Sequence, residues 1–75
     1  MMEKIIYIQL LSEGSIAYWP VPALQVGINL FRVSGLEIYD PKDEEWEFPP
    51  GSYVSIDEQI KDGKYISIAI QQKVE

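Results

Sequence analysis

The sequence predicts an all-β domain, a small barrel of about five to seven short antiparallel strands with at most one short helical turn. Three observations predict it. Apolar and polar residues alternate with a period of two in several short runs. Glycine and proline punctuate the chain between those runs. No stretch carries the 3.6-residue apolar period of an amphipathic helix. In so short a chain, a sheet that closes on itself removes its exposed edges, which favours a barrel over an open sheet.

The first run, Ile5 to Leu11, is apolar on both alternating sets, the pattern of a strand covered on both faces. Glu13-Gly14-Ser15 supplies a turn after it. Ile16-Ala17-Tyr18-Trp19 resumes a β composition. Pro20 and Pro22 cannot donate to a ladder, so the strand is expected to end there as an edge or to leave the sheet. Ala23 to Val26 and then Ile28 to Val33 follow on either side of Gly27, with Phe31 and Val33 turned to the core. Ser34-Gly35 breaks this run, and Leu36 to Tyr39 reads as a short extension or a separate strand.

Asp40 to Glu47 is strongly polar, with five acids and one lysine and a local charge of −4. It reads as a solvated loop opened by Asp-Pro. In Pro49-Pro50-Gly51-Ser52, Pro50 suits position i+1 and Gly51 position i+2 of a type II turn. Tyr53 to Ile56 is a strand with Val54 and Ile56 on one face. Asp57 to Lys61 is polar enough for a loop or a single helical turn. Asp62-Gly63 is a strong hairpin signal. Beyond it, Ile66, Ile68 and Ile70 alternate with Tyr65, Ser67, Ala69 and Gln71, the pattern of a half-buried strand, and the tail Gln72 to Glu75 is expected to fray.

The 75 residues make one domain, spanning 1–75. The chain has no histidine and no cysteine. That excludes disulfides, Cys/His zinc sites, a histidine general base and a cysteine nucleophile. Ser12, Ser15, Ser34 and Ser52 have no histidine to activate them. Isolated Gly27, Gly35, Gly51 and Gly63 form no phosphate-cradling run. An enzyme is not expected, nor a cofactor. The cluster Asp40, Asp43, Glu44, Glu45 and Glu47 lacks the spacing of an EF-hand loop, so no metal is expected. As a pair of sugar-cleaving carboxylates it lacks a cleft.

Twelve acids against six bases give a net charge of −6, which repels phosphate backbones and disfavours nucleic acid. No apolar run approaches the roughly 20 residues that span a bilayer, and no small-residue cleavage site follows Ile5–Leu11. The expectation is a cytoplasmic protein with no membrane contact.

Trp46-x-Phe48-Pro49-Pro50-Gly51-x-x-Val54, with the strand order and the long polar loop, resembles a small SH3-like barrel. Trp19-Pro20-Val21-Pro22-Ala23, Phe31-Arg32-Val33 and Glu45-Trp46-Glu47-Phe48-Pro49-Pro50-Gly51-Ser52 are together similar to a group of short acidic bacterial proteins that form a domain of unknown function. The similarity runs over nearly the whole chain. It implies a fold and a bacterial origin and carries no activity, because its motifs are turn and core residues.

Two candidate binding surfaces follow. Tyr18 and Trp19, with their neighbouring prolines, can form an aromatic strip for an extended or proline-rich peptide, or Trp19 can cap one end of the barrel. Trp46 and Phe48 share a face if extended. Flanked by Glu44, Glu45 and Glu47 they would suit a basic peptide through charge and cation–π attraction, unless both rings belong to the core. The expected function is a small non-catalytic protein-interaction module. The alternative is an acidic inhibitor or immunity-type protein that neutralises a basic toxin or nuclease. A homodimer is a further expectation, with Ile6, Ile8 or Tyr65 pairing two barrels edge to edge.

Overall fold

A computed structural model of the chain describes residues 2–11 and 16–72. The expected turn at Glu13-Gly14-Ser15 and the end of the tail lie outside the described residues. The elements are β1 Met2–Gln9, β2 Tyr18–Gly27, β3 Leu30–Val33, β4 Tyr53–Lys61 and β5 Lys64–Gln72. They close in chain order into an all-β barrel, consistent with a small SH3-like barrel, and no helix occurs among the described residues.

The closure follows from strand number. Consecutive antiparallel neighbours alternate in direction, so the first and fifth of five strands run the same way. Their junction must therefore be parallel, and it is. It consists of one register pair, Tyr7 opposite Ile68. Every other junction is antiparallel.

Several strand expectations are corrected. β1 is covered on one face only: Ile6, Ile8 and Leu10 are buried, whereas Ile5 is exposed. Ile6 and Ile8 therefore cannot pair two barrels. β2 runs unbroken through both prolines, with Pro20 opposite Tyr7 and Pro22 opposite Ile5. Ser34 N donates to Pro22 O at 2.9 Å, so the Pro22 carbonyl faces β3. In an extended strand a residue's N and C=O point to the same side. The ring nitrogens of Pro20 and Pro22 thus face away from β1, and the β1–β2 ladder loses nothing. β2 also takes in Ala23 to Gly27, so the third strand begins at Leu30 rather than Ile28.

Leu36 to Tyr39 is a turn, closed by Ile38 N and Tyr39 N donating to Gly35 O at 3.0 Å. Asp57 to Lys61 is strand, because the Asp62-Gly63 hairpin pairs it residue by residue with Lys64 to Ile68. Asp62 (φ 52°) and Gly63 (φ 77°) take the two left-handed positions of a type I′ turn. The turn before β4 also forms as the sequence predicts, with Ser52 N donating to Pro49 O at 3.1 Å. In β5 a register shift between Ser55 and Ile56 leaves Ile70 without a partner. Ser67 and Ala69, opposite Glu58 and Ile56, hold the inward parity of β5, so Ala69 enters the core and Ile70 is exposed.

The core gathers Ile6, Ile8, Val21, Val33 and Val54, all fully buried, with Phe31, Leu10 and Ala23 around them. Each such aliphatic side chain contributes roughly 1.5–3 kcal/mol on burial. The long connection between β3 and β4 closes one end. Trp46 bridges Leu10, Leu11 N donates to Glu45 O at 2.7 Å and Glu47 N to Gln9 O at 2.9 Å. This short extended piece turns Trp46 and Phe48 inward and Glu47 outward. The opposite end carries a polar closure, in which Ser67 Oγ donates to Glu58 Oε1 at 2.9 Å and Lys4 Nζ lies 3.5 Å from the same oxygen.

Candidate binding groove

Trp46 is 3% exposed and packs its ring against Tyr39 at 4.7 Å between centroids. Phe48 is buried beside it in the same cluster. The aromatic half of the expected cation-binding face is therefore core. Glu44 is half-buried, and Glu45 is exposed with its carbonyl tied to Leu11. Both stay on the acidic loop. The Asp40 side chain accepts from Lys42 N at 3.0 Å, so it serves the loop's own turn. No cluster of acids placed to hold a metal occurs among the described residues.

Tyr18 and Trp19 part company for a simple reason: adjacent residues of a strand face opposite sides. Trp19 lies opposite buried Ile8, at the inward parity but near the barrel mouth, and remains 43% exposed. Tyr18 lies opposite Gln9 on the outside. There it joins Tyr7, Lys61, Asp62, Lys64 and Ile66 around an open groove of about 360 Å³. The single continuous Tyr18–Trp19 strip of the sequence reading is not formed.

The groove arises at the parallel seam. β5 meets β1 at one register pair, and the tip of the β4–β5 hairpin stands over β1 and β2. Lys61 Nζ lies 5.6 Å above the centre of the Tyr18 ring, within cation–π range. Tyr7, Tyr18 and Ile66 are half-buried and make the apolar wall. Lys61 and Lys64 are cross-strand neighbours that close the hairpin. With Asp62 they give the groove a local charge of +1 on a chain of net charge −6. Ile68, opposite Tyr7 on this outer face, is only 3% exposed yet belongs to no part of the main core. The seam thus has its own small apolar layer.

A second open cavity, about 300 Å³, lies between β3 and the turn before β4, lined among others by Arg32, Leu36, Glu37 and Pro50. Its backbone is already engaged, with Val33 N donating to Ser52 O and Gly51 N to Val33 O, both at 2.8 Å. Its two charged groups, Arg32 and Glu37, are of opposite sign, so it carries no net charge.

The sequence suggests none of Tyr7, Lys61, Lys64 and Ile66 as a binding residue. The Asp62-Gly63 hairpin signal was sufficient to set Lys61 opposite Lys64. Nothing local shows that this tip lies over Tyr18, because that contact is made by barrel closure. No helix among the described residues is long and apolar enough to cross a membrane. No family model, curated protein or solved structure matches the chain.

Proposed function

We propose that this barrel is a non-catalytic protein-interaction module that takes an extended peptide segment in the groove between Tyr7, Tyr18 and Ile66. The observation that carries the reading is the Lys61 ammonium held over the Tyr18 ring at the rim of an apolar wall. Tyrosines present a flat apolar body with a hydroxyl at the tip, which suits side chains lying along a shallow groove. Lys61 and Lys64 favour a segment with an acidic or carbonyl-rich edge, and the surrounding negative charge rejects misplaced acidic surfaces. The lack of cysteine suits a reducing cytosol, where we place the module.

The test is selection from a displayed peptide library, followed by titration of the recovered sequence into wild-type protein and Tyr18→Ala. The expected result is at least tenfold weaker binding to a variant whose circular dichroism is unchanged. Enriched peptides that bind the Tyr18→Ala protein as well as the wild type would sink the proposal.

A second reading, neutralisation of a basic toxin or nuclease, is favoured by the acidic loop. Its backbone is pinned to β1 at Glu45 and Glu47, so Asp40, Asp43, Glu45 and Glu47 are held exposed on an ordered segment rather than a floppy one. Rescue of cells from a toxin encoded beside the gene, abolished by charge reversal at Asp43 and Glu47, is its expected signature.

A further inference from the structure

β4 is longer than its neighbour on the β3 side. The last β3–β4 register pair is Phe31 opposite Val54. Past it, Asn29 Oδ1 accepts from Ile56 N at 2.9 Å, standing in for a strand that has already turned away. From Asp57 to Lys61, β4 is paired on its β5 side alone among the described residues.

Hairpin geometry says which groups this edge exposes. In a two-residue hairpin the closing pair, here Lys61 opposite Lys64, exchanges hydrogen bonds, and so does every second pair after it. Lys61, Gln59 and Asp57 therefore bond to β5. The N–H and C=O groups of Glu58 and Ile60 point the other way. The direction of Ile56 N, toward Asn29, is an independent check, since Ile56 has the same parity. The other place where a strand outruns β3 is the start of β2, and there Pro20 and Pro22 remove the donors. β4 has no proline, and only charges guard it.

Those charges are self-complementary. When a second copy is laid antiparallel along the edge with Gln59 opposite Gln59, Glu58 falls opposite Ile60, and these are the residues with outward backbone groups. Both Glu58–Ile60 pairs can then exchange their ladder bonds. The same register sets Asp57 opposite Lys61 on each side of the twofold axis. On the other face of the strand, Ile60 and its cross-strand partner Tyr65 are 61% and 77% exposed. The twofold brings the Ile60 side chains of the two copies into diagonal contact, flanked by the two Tyr65 rings. A shift by one residue would set outward backbone groups against inward ones.

We propose that the chain forms a twofold homodimer by pairing the Asp57–Lys61 edge of β4 with the same edge of a second copy, in the register that places Asp57 against Lys61. The contact is small, so the affinity is modest and the dimer depends on concentration.

Sedimentation of the full chain over a range of concentrations tests this. The wild type is expected to pass from monomer to dimer. Ile60→Pro removes a donor that faces outward and leaves the β5 ladder intact, so it is expected to stay monomeric with wild-type circular dichroism. Asp57→Lys alone and Lys61→Asp alone each set like charges against one another at both ends. Each is expected to self-associate at least tenfold more weakly, and an equimolar mixture of the two is expected to pair again. A wild type that stays monomeric at millimolar concentration overturns the proposal. So does a dimer that is insensitive to the single charge changes or not restored by mixing. Loss of the dimer in Tyr18→Ala would place the contact in the groove instead and overturn the edge pairing.

Discussion

Replacing Gly35 by alanine probes how the long connection is locked to the barrel. Gly35 follows β3 and has φ +92°. A side chain in that region costs roughly 1–2 kcal/mol. Its Cβ would also sit 3.3 Å from Trp46 Cη2 and 3.3 Å from Ile38 Cγ1. Ile38 is exposed and can rotate away, but Trp46 is buried against Tyr39 and cannot. Displacing a packed indole by a few tenths of an ångström falls at the low end of overpacking penalties, about 1 kcal/mol. The two effects together predict a loss of about 2–3 kcal/mol, a large share of the stability of so small a domain.

Gly51 supplies the control. Its φ is +94°, nearly the same, but nothing lies within 4 Å of a Cβ built on it. Gly51→Ala therefore incurs the backbone cost alone, about 1–2 kcal/mol. Urea unfolding followed by far-ultraviolet circular dichroism gives both free energies, and near-ultraviolet dichroism reports the setting of the Trp46 ring. Gly35→Ala is expected to lose about 1 kcal/mol more than Gly51→Ala and to alter the aromatic signal, which Gly51→Ala leaves alone. Equal losses with an unchanged aromatic signal would refute the packing of Trp46 onto Gly35.

Other outcomes follow from the same geometry. Asn29→Ala removes the acceptor for Ile56 N and puts alanine at φ 47°, so it is expected to cost about 1–2 kcal/mol by urea unfolding. Ile70→Thr, at the unpaired position of β5, is expected to change stability by less than about 0.5 kcal/mol. Ala69→Leu, one residue away but facing the core, is expected to cost about 1–3 kcal/mol. Glu58→Gln removes the ion pair with Lys4 on an exposed surface and is expected to cost less than about 1 kcal/mol, with the difference shrinking in high salt.

The sequence patterns that reported the fold were those set by local chemistry. Asp62-Gly63 and Pro50-Gly51 form the turns their backbone preferences demand, and Phe31 and Val33 alternate as a short strand must. Ile70 and Ala69 misled because alternation alone does not say which set faces in: Ile66 and Ile68 take the outer face at the seam, so Ser67 and Ala69 turn to the interior. Asp57 to Lys61 looked like a loop because its side chains are polar. They are polar because this stretch extends past the body of the barrel, where both faces meet water. Trp46 and Phe48 looked like a binding face because acids surround them. Alternation in an extended segment turns the rings inward and the acids outward, and only the bridge to Leu10 shows which way.

The groove has a topological origin. A barrel of consecutive antiparallel strands closes on itself with antiparallel pairs throughout only when the strand number is even. With five, one junction must be parallel, and parallel pairs form slanted, slightly weaker ladders. Here that junction is reduced to Tyr7 and Ile68, so the hairpin tip is not zipped onto β1 along its length. Space remains beside the seam, and the residues that line it are those that adjoin the missing ladder. Extending the ladder would therefore be expected to close the groove. Replacing Glu3, which the parallel register sets opposite Lys64, by a β-branched residue to favour strand pairing should raise the unfolding free energy slightly while weakening peptide binding. Stronger binding in such a variant would show that the ligand adds to the β1–β5 ladder rather than lying in a gap beside it.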